Sequence, residues 1–440
     1  IHIQKRFHIL SDVKLVKVTF SNLGNVKLRL VEVDNELETL SAGYLLQRYE
    51  NGFKPDTIKK DAQGIQHLYR FCINQGINLH QLVASKSPLS MGDIEEYASF
   101  CSVNYASYCS PSKDTYELVS VDYYKQRMRI SWAFIKWLWL FYQNRTKGKL
   151  DDLKAAQIQF AAMELGFKAY MKSPINTTIS QKTGLSPELR NRFFDIINPL
   201  PENTQNPWKS QRVRWRNYAL LLTMVLGGNR KGESLLLKLN HFSLSGNRKY
   251  FEILKSSDLD YPRSEAPSVK TLGREIELNS MMADIFEHYI SVWRKEFKNA
   301  KKSMYMFLSS RDGLPLSVQT PNAILKQLIN MYPEYEGVLS PHRLRNTFHD
   351  VLNDALNLMN AAESPLSRKL KKAPIQEYAG GWKRGSEMPN HYPKGSIQRE
   401  VARMHFIIQD RILSTTEYAE AKRKEELDHS EAGFYEWMDN

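Results

Sequence analysis

A chain of 440 residues in which 42% are hydrophobic buries sizeable cores, and its length favours two or three domains over one. Its 61 basic residues outnumber 48 acidic ones, and the net charge of +13 sets up a field that draws polyanions, nucleic acid being the commonest. The most apolar stretch, Trp132 to Tyr142, is far too short to span a bilayer and carries Lys136 inside it, so no membrane anchor is read. Cys72, Cys101 and Cys109 form no CxxC pair, which argues against a disulfide framework or a cysteine zinc site and fits a reducing compartment. The chain opens Ile1-His2-Ile3-Gln4-Lys5-Arg6, with neither a methionine nor a charged-then-apolar leader, as a trimmed N-terminus would.

Apolar and polar side chains alternate in two runs, Val13 to Phe20 and Val26 to Val33, around Ser21-Asn22-Leu23-Gly24-Asn25, and this predicts a β-hairpin. A solvated outer face of a small sheet accounts for its lysines and Arg29 more simply than contact with phosphates. From about residue 40 the period becomes helical. Ile58, Ala62, Ile65, Tyr69 and Cys72 share one face and Gly76 follows as a stop. Ser90 with Asp93 three residues on resembles a capping box that opens a second helix, and Asp122 to Tyr142 forms a third. Lys125, Arg127, Arg129 and Lys136 lie on that third helix, either as a solvated basic face or as a face for a DNA backbone, and they are the candidate DNA-binding residues.

The polar run Ser173 to Gly184 reads as an interdomain linker. Ser186-Pro187-Glu188 then caps a new helix that runs into the Pro199-Leu200-Pro201 break. Beyond it, helical segments are interrupted by one strand pair, Tyr250 to Leu254 and Glu275 to Leu278. An amphipathic tail follows, ending in Phe434, Tyr435 and Trp437, aromatics that suit docking. The expected layout is an N-terminal β segment over 1–39, a helical DNA-binding domain over 40–172, a linker over 173–184, a mainly helical catalytic domain with a small antiparallel sheet over 185–414, and a tail helix over 415–440.

Four blocks in the second half carry the chemistry. An apolar helix ends at Gly227-Gly228, and Arg230 and Glu233 follow three apart; alone, that spacing is most often a solvated helix pair. In Ser340-Pro341-His342-Arg343-Leu344-Arg345 a capped helix start places His342 and Arg345 three apart, on one face. Gly380-Gly381-Trp382 comes next, and His391-Tyr392-Pro393 ten residues later. Taken singly, an arginine or a tryptophan is usually structural, and His342 could simply bond backbone at a helix start. The order and spacing of all four together are not explained that way.

These blocks resemble the tyrosine recombinases, or phage-type integrases. The first arginine motif of that family is matched by Gly228, Arg230 and Glu233. Its His-x-x-Arg motif is matched by Ser340, Pro341, His342, Leu344 and Arg345. Its Gly-His or Gly-Trp is matched by Gly381 and Trp382, and its nucleophilic tyrosine by Tyr392. The family's lysine sits on a hairpin turn before an arginine-bearing strand. Lys270-Thr271-Leu272-Gly273-Arg274 fits that place, with Lys255 the other candidate because Ser256 to Val269 is longer than a tight hairpin needs. Asn346 stands where many members have a second histidine, and Trp382 replaces the commoner histidine.

The resemblance implies a site-specific DNA recombinase working through a 3′-phosphotyrosyl intermediate at Tyr392, as a homotetramer on two synapsed duplex sites, with accessory recombination proteins as further partners. It implies a cytoplasmic, nucleoid-associated enzyme of a prokaryotic mobile element. Transfer of a phosphodiester to a phenol builds charge on nonbridging oxygens, and the permanently charged forks of Arg230 and Arg345 suit that need. Trp382 adds an N–H donor, His342 is the candidate proton acceptor for Tyr392, and the resemblance assigns Lys270 as general acid to the departing 5′ oxygen. Glu233 is expected to orient Arg230. Because the phosphotyrosine retains the bond energy, no ATP, metal or other cofactor is expected, and the remaining histidines show no metal-ligand spacing. Two other readings stand beside this one: a noncatalytic DNA-binding relative, and a type IB topoisomerase that relaxes a single duplex.

Overall fold

The computed structural model describes residues 12–87, 89–109, 116–143, 150–172, 183–255, 261–263, 265–269, 271–359, 365–381, 394–413 and 420. The chain splits into two compact units, Ile1–Ser180 and Gln181–Asn440.

The first unit opens with a three-stranded antiparallel sheet of β1 (Val13–Phe20), β2 (Val26–Val33) and β3 (Glu36–Leu37). β1 and β2 pair from Val13 opposite Val33 to Phe20 opposite Val26, the hairpin that alternation predicted. β3 is a third strand that two residues are too few to announce. Seven helices follow: α1 (Thr39–Glu50), α2 (Pro55–Asn74), α3 (Leu79–Ala84), α4 (Met91–Ser102), α5 (Tyr105–Tyr108), α6 (Val121–Gln143) and α7 (Leu150–Lys172).

α2 has proline in its first turn and the buried stripe Ile58, Ala62, Ile65, Leu68 and Cys72, each side chain contributing about 1.5–3 kcal/mol on burial if large. Gln66 and Arg70 of α2 donate to the Val13 carbonyl at 2.8 and 3.0 Å, so the sheet and the helices share one core. A Cβ on Gly64 would lie 2.6 Å from the Ile130 side chain, and only glycine lets α2 and α6 approach so closely. α4 begins with the predicted capping box, Ser90 and Asp93 exchanging bonds of 3.0 and 2.8 Å.

Along α6, one of the four basic candidates departs from expectation. Lys125, Arg129 and Lys136 are exposed and fall on one helical stripe. Arg127 points to the opposite side and is only 6% exposed. Its Nη1 donates to the carbonyls of Cys101 and Val103, both at 2.8 Å, and its guanidinium sits over the Tyr123 ring. Arg127 is therefore a core group that closes the end of α4, and the basic stripe consists of the other three.

The second unit is built of α8 (Pro187–Ile197), α9 (Gln211–Val225), α10 (Lys231–Leu235), the strands β4 (Phe242–Ser243), β5 (Tyr250–Ile253) and β6 (Arg274–Glu277), then α11 (Ser280–His288), α12 (Thr320–Met331), α13 (Pro341–Met359), α14 (Pro365–Gly380) and α15 (Lys394–Leu413), with short 3-10 turns between them. Every residue of α9 from Trp215 to Val225 is buried, which makes it the central helix of this unit. The antiparallel sheet has the order β4-β5-β6 and contains the predicted strand pair with Tyr250 opposite Glu277. α15 covers the free edge of β6. His405 Nδ1 accepts from the Glu277 N–H at 3.3 Å, Gln409 Nε2 donates to the Glu277 carbonyl at 2.7 Å, and Gln409 Oε1 accepts from the Asn279 N–H at 2.7 Å. No helix among the described residues is long and apolar enough to cross a membrane.

Candidate active site

α9 ends at Val225 with Leu226 as its C-cap, and the chain turns through Gly228 at φ +64°. A Cβ at Gly228 would meet the Phe348 ring of α13 at 2.4 Å, so glycine is required both for the backbone angle and for the close packing of this turn on α13. The turn delivers Arg230 as the N-cap of α10, whose third residue is Glu233. The Glu233 carboxylate folds back to accept from the Arg230 N–H at 3.0 Å, and the Arg230 guanidinium lies 3.4 Å from its other oxygen.

Glu233 does more than steady Arg230. It is 1% exposed and accepts from Thr271 Oγ1 at 2.7 Å and Arg274 Nη2 at 2.9 Å, with Arg345 Nη1 3.8 Å away. Burial alone would raise its pKa, but Arg274, the Thr271 hydroxyl and the Arg230 N–H together hold it below the usual glutamate value. The carboxylate is thus an ionised hub shared by elements α10, β6 and α13.

Arg345 enters from the first turns of α13, and Ser340 caps that helix by accepting from the Arg343 N–H at 3.2 Å. Its two terminal nitrogens donate to carbonyls from opposite sides, Nη1 to Gly228 and Nη2 to Gly380, the latter at 2.7 Å. Arg345 therefore ties the Arg230 turn to the end of α14, one residue before Gly381. Burial, with Arg230 and Arg274 close by, presses its pKa down to about 9, which leaves it a cation at neutral pH. His342 lies one turn earlier and is exposed. Lys270, Trp382 and Tyr392 lie outside the described residues. Lys255, the other lysine candidate, is exposed just beyond β5.

From the sequence Arg274 is only the landmark of a strand, whereas in the structure it is a buried member of this cluster. It is 5% exposed, and besides Glu233 it reaches Thr271 Oγ1 and the Gly228 carbonyl, both at 3.4 Å. The available signal was its phase: Arg274 and Ile276 point the same way on β6, and Ile276 is a core residue. Among the described residues, Arg230, Arg274 and Arg345 gather around one carboxylate, leaving a surplus of two positive charges. His349, one turn beyond Arg345, registers the same field. Burial first, and then Arg345, Arg274, Arg230 and His342, lower its pKa to about 3. Arg230 is the partly open member, its side chain 32% exposed against 3% for Arg345. A site with this charge surplus and one accessible guanidinium is built to receive an anion, and a phosphate suits the planar donors of arginine.

No curated protein matches the sequence. Among solved structures, the chain is similar to the XerH site-specific recombinase bound to difH substrate in a pre-cleavage complex, at 16% identity, with 74% of this chain and 84% of that one covered and a TM-score of 0.33. It is likewise similar to the Tn1549 transposon integrase in complex with circular intermediate DNA, at 15% identity, with 82% and 97% covered and a TM-score of 0.41. The Phage integrase family model matches residues 197–363, a span that takes in Arg230, Glu233, Arg274, His342 and Arg345. The matched span lies within the second unit, so it is this unit, over residues 197–363, that is similar to the Phage integrase family.

Proposed function

We propose that the protein is a tyrosine site-specific recombinase that cleaves and rejoins duplex DNA through a phosphotyrosine at Tyr392. The observation that carries this reading is the cluster of Arg230, Arg274 and Arg345 around the single buried carboxylate of Glu233, inside a phage integrase family domain. In cleavage the Tyr392 phenol oxygen bonds to phosphorus and the bond from phosphorus to the 5′ oxygen breaks. Arg230 and Arg345 hold the nonbridging oxygens as charge grows there, and Trp382 adds a donor. His342 takes the phenolic proton and Lys270 returns one to the 5′ oxygen. Religation reverses each transfer. The exposed stripe of Lys125, Arg129 and Lys136 on α6 supplies contacts to the DNA backbone. The working assembly in this reading is a homotetramer on two synapsed sites, acting in the cytoplasm.

A duplex selected by the full chain from a random-sequence pool, nicked so that the cleaved end diffuses away, tests the reading. Covalent protein–DNA product is expected with the natural sequence and none with Tyr392→Phe. Binding without any covalent product would make the chain a noncatalytic DNA-binding relative. Relaxation of a supercoiled plasmid without strand exchange between two sites would make it a topoisomerase.

A further inference from the structure

The chain on both sides of Lys270 is fastened to the arginine cluster. Two residues before it, the Ser268 carbonyl sits on the first turn of α10, so close to Gly232 that a Cβ there would be 2.7 Å away. One residue after it, Thr271 is 4% exposed and donates its hydroxyl to Glu233 Oε1 at 2.7 Å while accepting from Arg274 Nη1 at 3.4 Å. At the next position the Leu272 N–H donates to the Gly381 carbonyl at 2.9 Å. Gly381 has φ +60°, and a Cβ there would come within 2.9 Å of both Thr271 Cβ and Arg274 Nη1. Ser268 is therefore held against the helix that Arg230 caps, and Thr271 and Leu272 are held by Glu233 and by the Gly380-Gly381 turn.

We propose that Thr271 is a positioning residue whose bond to Glu233 sets the reach of Lys270 toward the departing 5′ oxygen. The proposal rests on the reading of Lys270 as general acid. A general acid acts only within hydrogen-bond reach of the atom it protonates, and a lysine on an unfastened turn would spend little time there. Thr271, the residue next to Lys270 in sequence, is bonded to the same carboxylate that holds Arg230 and Arg274. Placement of the acid and placement of the phosphate clamp then share one reference point. A role confined to satisfying the buried Glu233 carboxylate is the competing account, and the two differ in which atom of the reaction they affect.

A substrate with sulfur in place of the bridging 5′ oxygen separates them. The leaving group is then a thiolate, whose conjugate thiol has a reference pKa of about 8.5, so the P–S bond breaks without a proton from the enzyme. With nicked duplexes of the selected sequence, Thr271→Val is expected to slow cleavage of the ordinary DNA by about a hundredfold and to recover most of that loss on the sulfur-bridged DNA. Lys270→Ala is expected to show the same recovery, and Thr271→Ser to behave as the natural sequence on both. Gly232→Ala, which displaces Ser268 from the other flank, is expected to follow Thr271→Val in a fold unaltered by loss of the hydroxyl.

Equal impairment of Thr271→Val on both duplexes, with Lys270→Ala recovered by sulfur, would overturn the positioning role alone. Unimpaired cleavage by Thr271→Val on the ordinary duplex would overturn it as well. Failure of sulfur to recover Lys270→Ala, or recovery of Lys255→Ala in its place, would remove the general-acid assignment beneath it, a result distinct from the first two.

Discussion

Two buried arginines illustrate how the same side chain serves different ends. Among the described residues Arg345 bonds to the carbonyls of Gly228 and Gly380 and faces, at 3.8 Å, a carboxylate that it shares with two other guanidiniums, so its charge is incompletely neutralised there. Arg345→Ala leaves both carbonyls short of a donor, at about 1–3 kcal/mol each, and it is expected to abolish covalent product in the suicide assay while DNA binding in a gel shift persists. Equal loss of both would remove its assigned role. Arg127 is also buried, but its acceptors are carbonyls at the C-terminal end of α4 and its surroundings hold an aromatic ring. Arg127→Ala is expected to cost about 2–4 kcal/mol of stability in urea titration and to leave the salt dependence of DNA binding unchanged. Replacing Lys125, Arg129 and Lys136 with alanine should instead reduce the slope of log affinity against log salt by up to about 3, with little change in stability.

At the scale of elements, the site depends on contacts too close for any side chain. The Gly228 turn rests on Phe348, which is fully buried, and Gly228→Ala would add a methyl group 2.4 Å from that ring at a positive φ. The expected cost is several kcal/mol, read as a lowered melting temperature, together with loss of cleavage, because the same turn supplies the carbonyl that Arg345 holds. The start of the second unit is fastened to the same helix: the Gly184 N–H donates to Asp350 at 2.6 Å and the Leu185 N–H to Thr347 Oγ1 at 2.9 Å. α13 thus presents Arg345 to the site and Thr347 and Asp350 to the entering chain. Its capped start and apolar period were legible from sequence. What its other faces hold was not, because those partners lie more than 160 residues away along the chain.

Stability of the whole molecule should fall on mild acidification. His405, fully buried against β6, and His349, beside the arginine cluster, both have pKa values lowered to about 3, chiefly by burial. Unfolded, each would take a proton near its ordinary value of 6.5, so the native state binds fewer protons and the stability present above pH 6.5 is lost as pH falls from there toward 3. The slope is up to about 1.4 kcal/mol per pH unit for each histidine. Carboxylates add to the loss below about pH 4.5. In the first unit, burial would raise the pKa of Glu38, but bonds from His80, Ser41 and Tyr69 hold it at about 2, and Glu233 is likewise lowered. Urea midpoints of the full chain are expected to decline between pH 7 and 5, and His405→Asn, which keeps an acceptor for the Glu277 N–H, should flatten that decline. An unchanged slope in His405→Asn would assign the titration elsewhere.

The sequence by itself determined whatever depends on periodicity and on neighbours along the chain. Alternation placed β1 and β2 to the residue, the 3.6-residue period placed α2 and α6, and the Ser90–Asp93 box marked where α4 begins. Motif order and spacing singled out Arg230, His342 and Arg345 as candidates. Tertiary structure alone decided which charges are spent inside. Arg127 lies on the same helix as Lys125 and Arg129, and the nearby buried positions Tyr124 and Ser131 hinted at its direction, but only the approach of the α4 end gave it acceptors. Arg274 and Thr271 became parts of the site because a strand and a turn about forty residues beyond Glu233 fold back onto it. Local pattern encodes a side chain's direction relative to its own helix or strand. Its partner is fixed by how those elements pack, and burial of the surrounding apolar surface determines that packing.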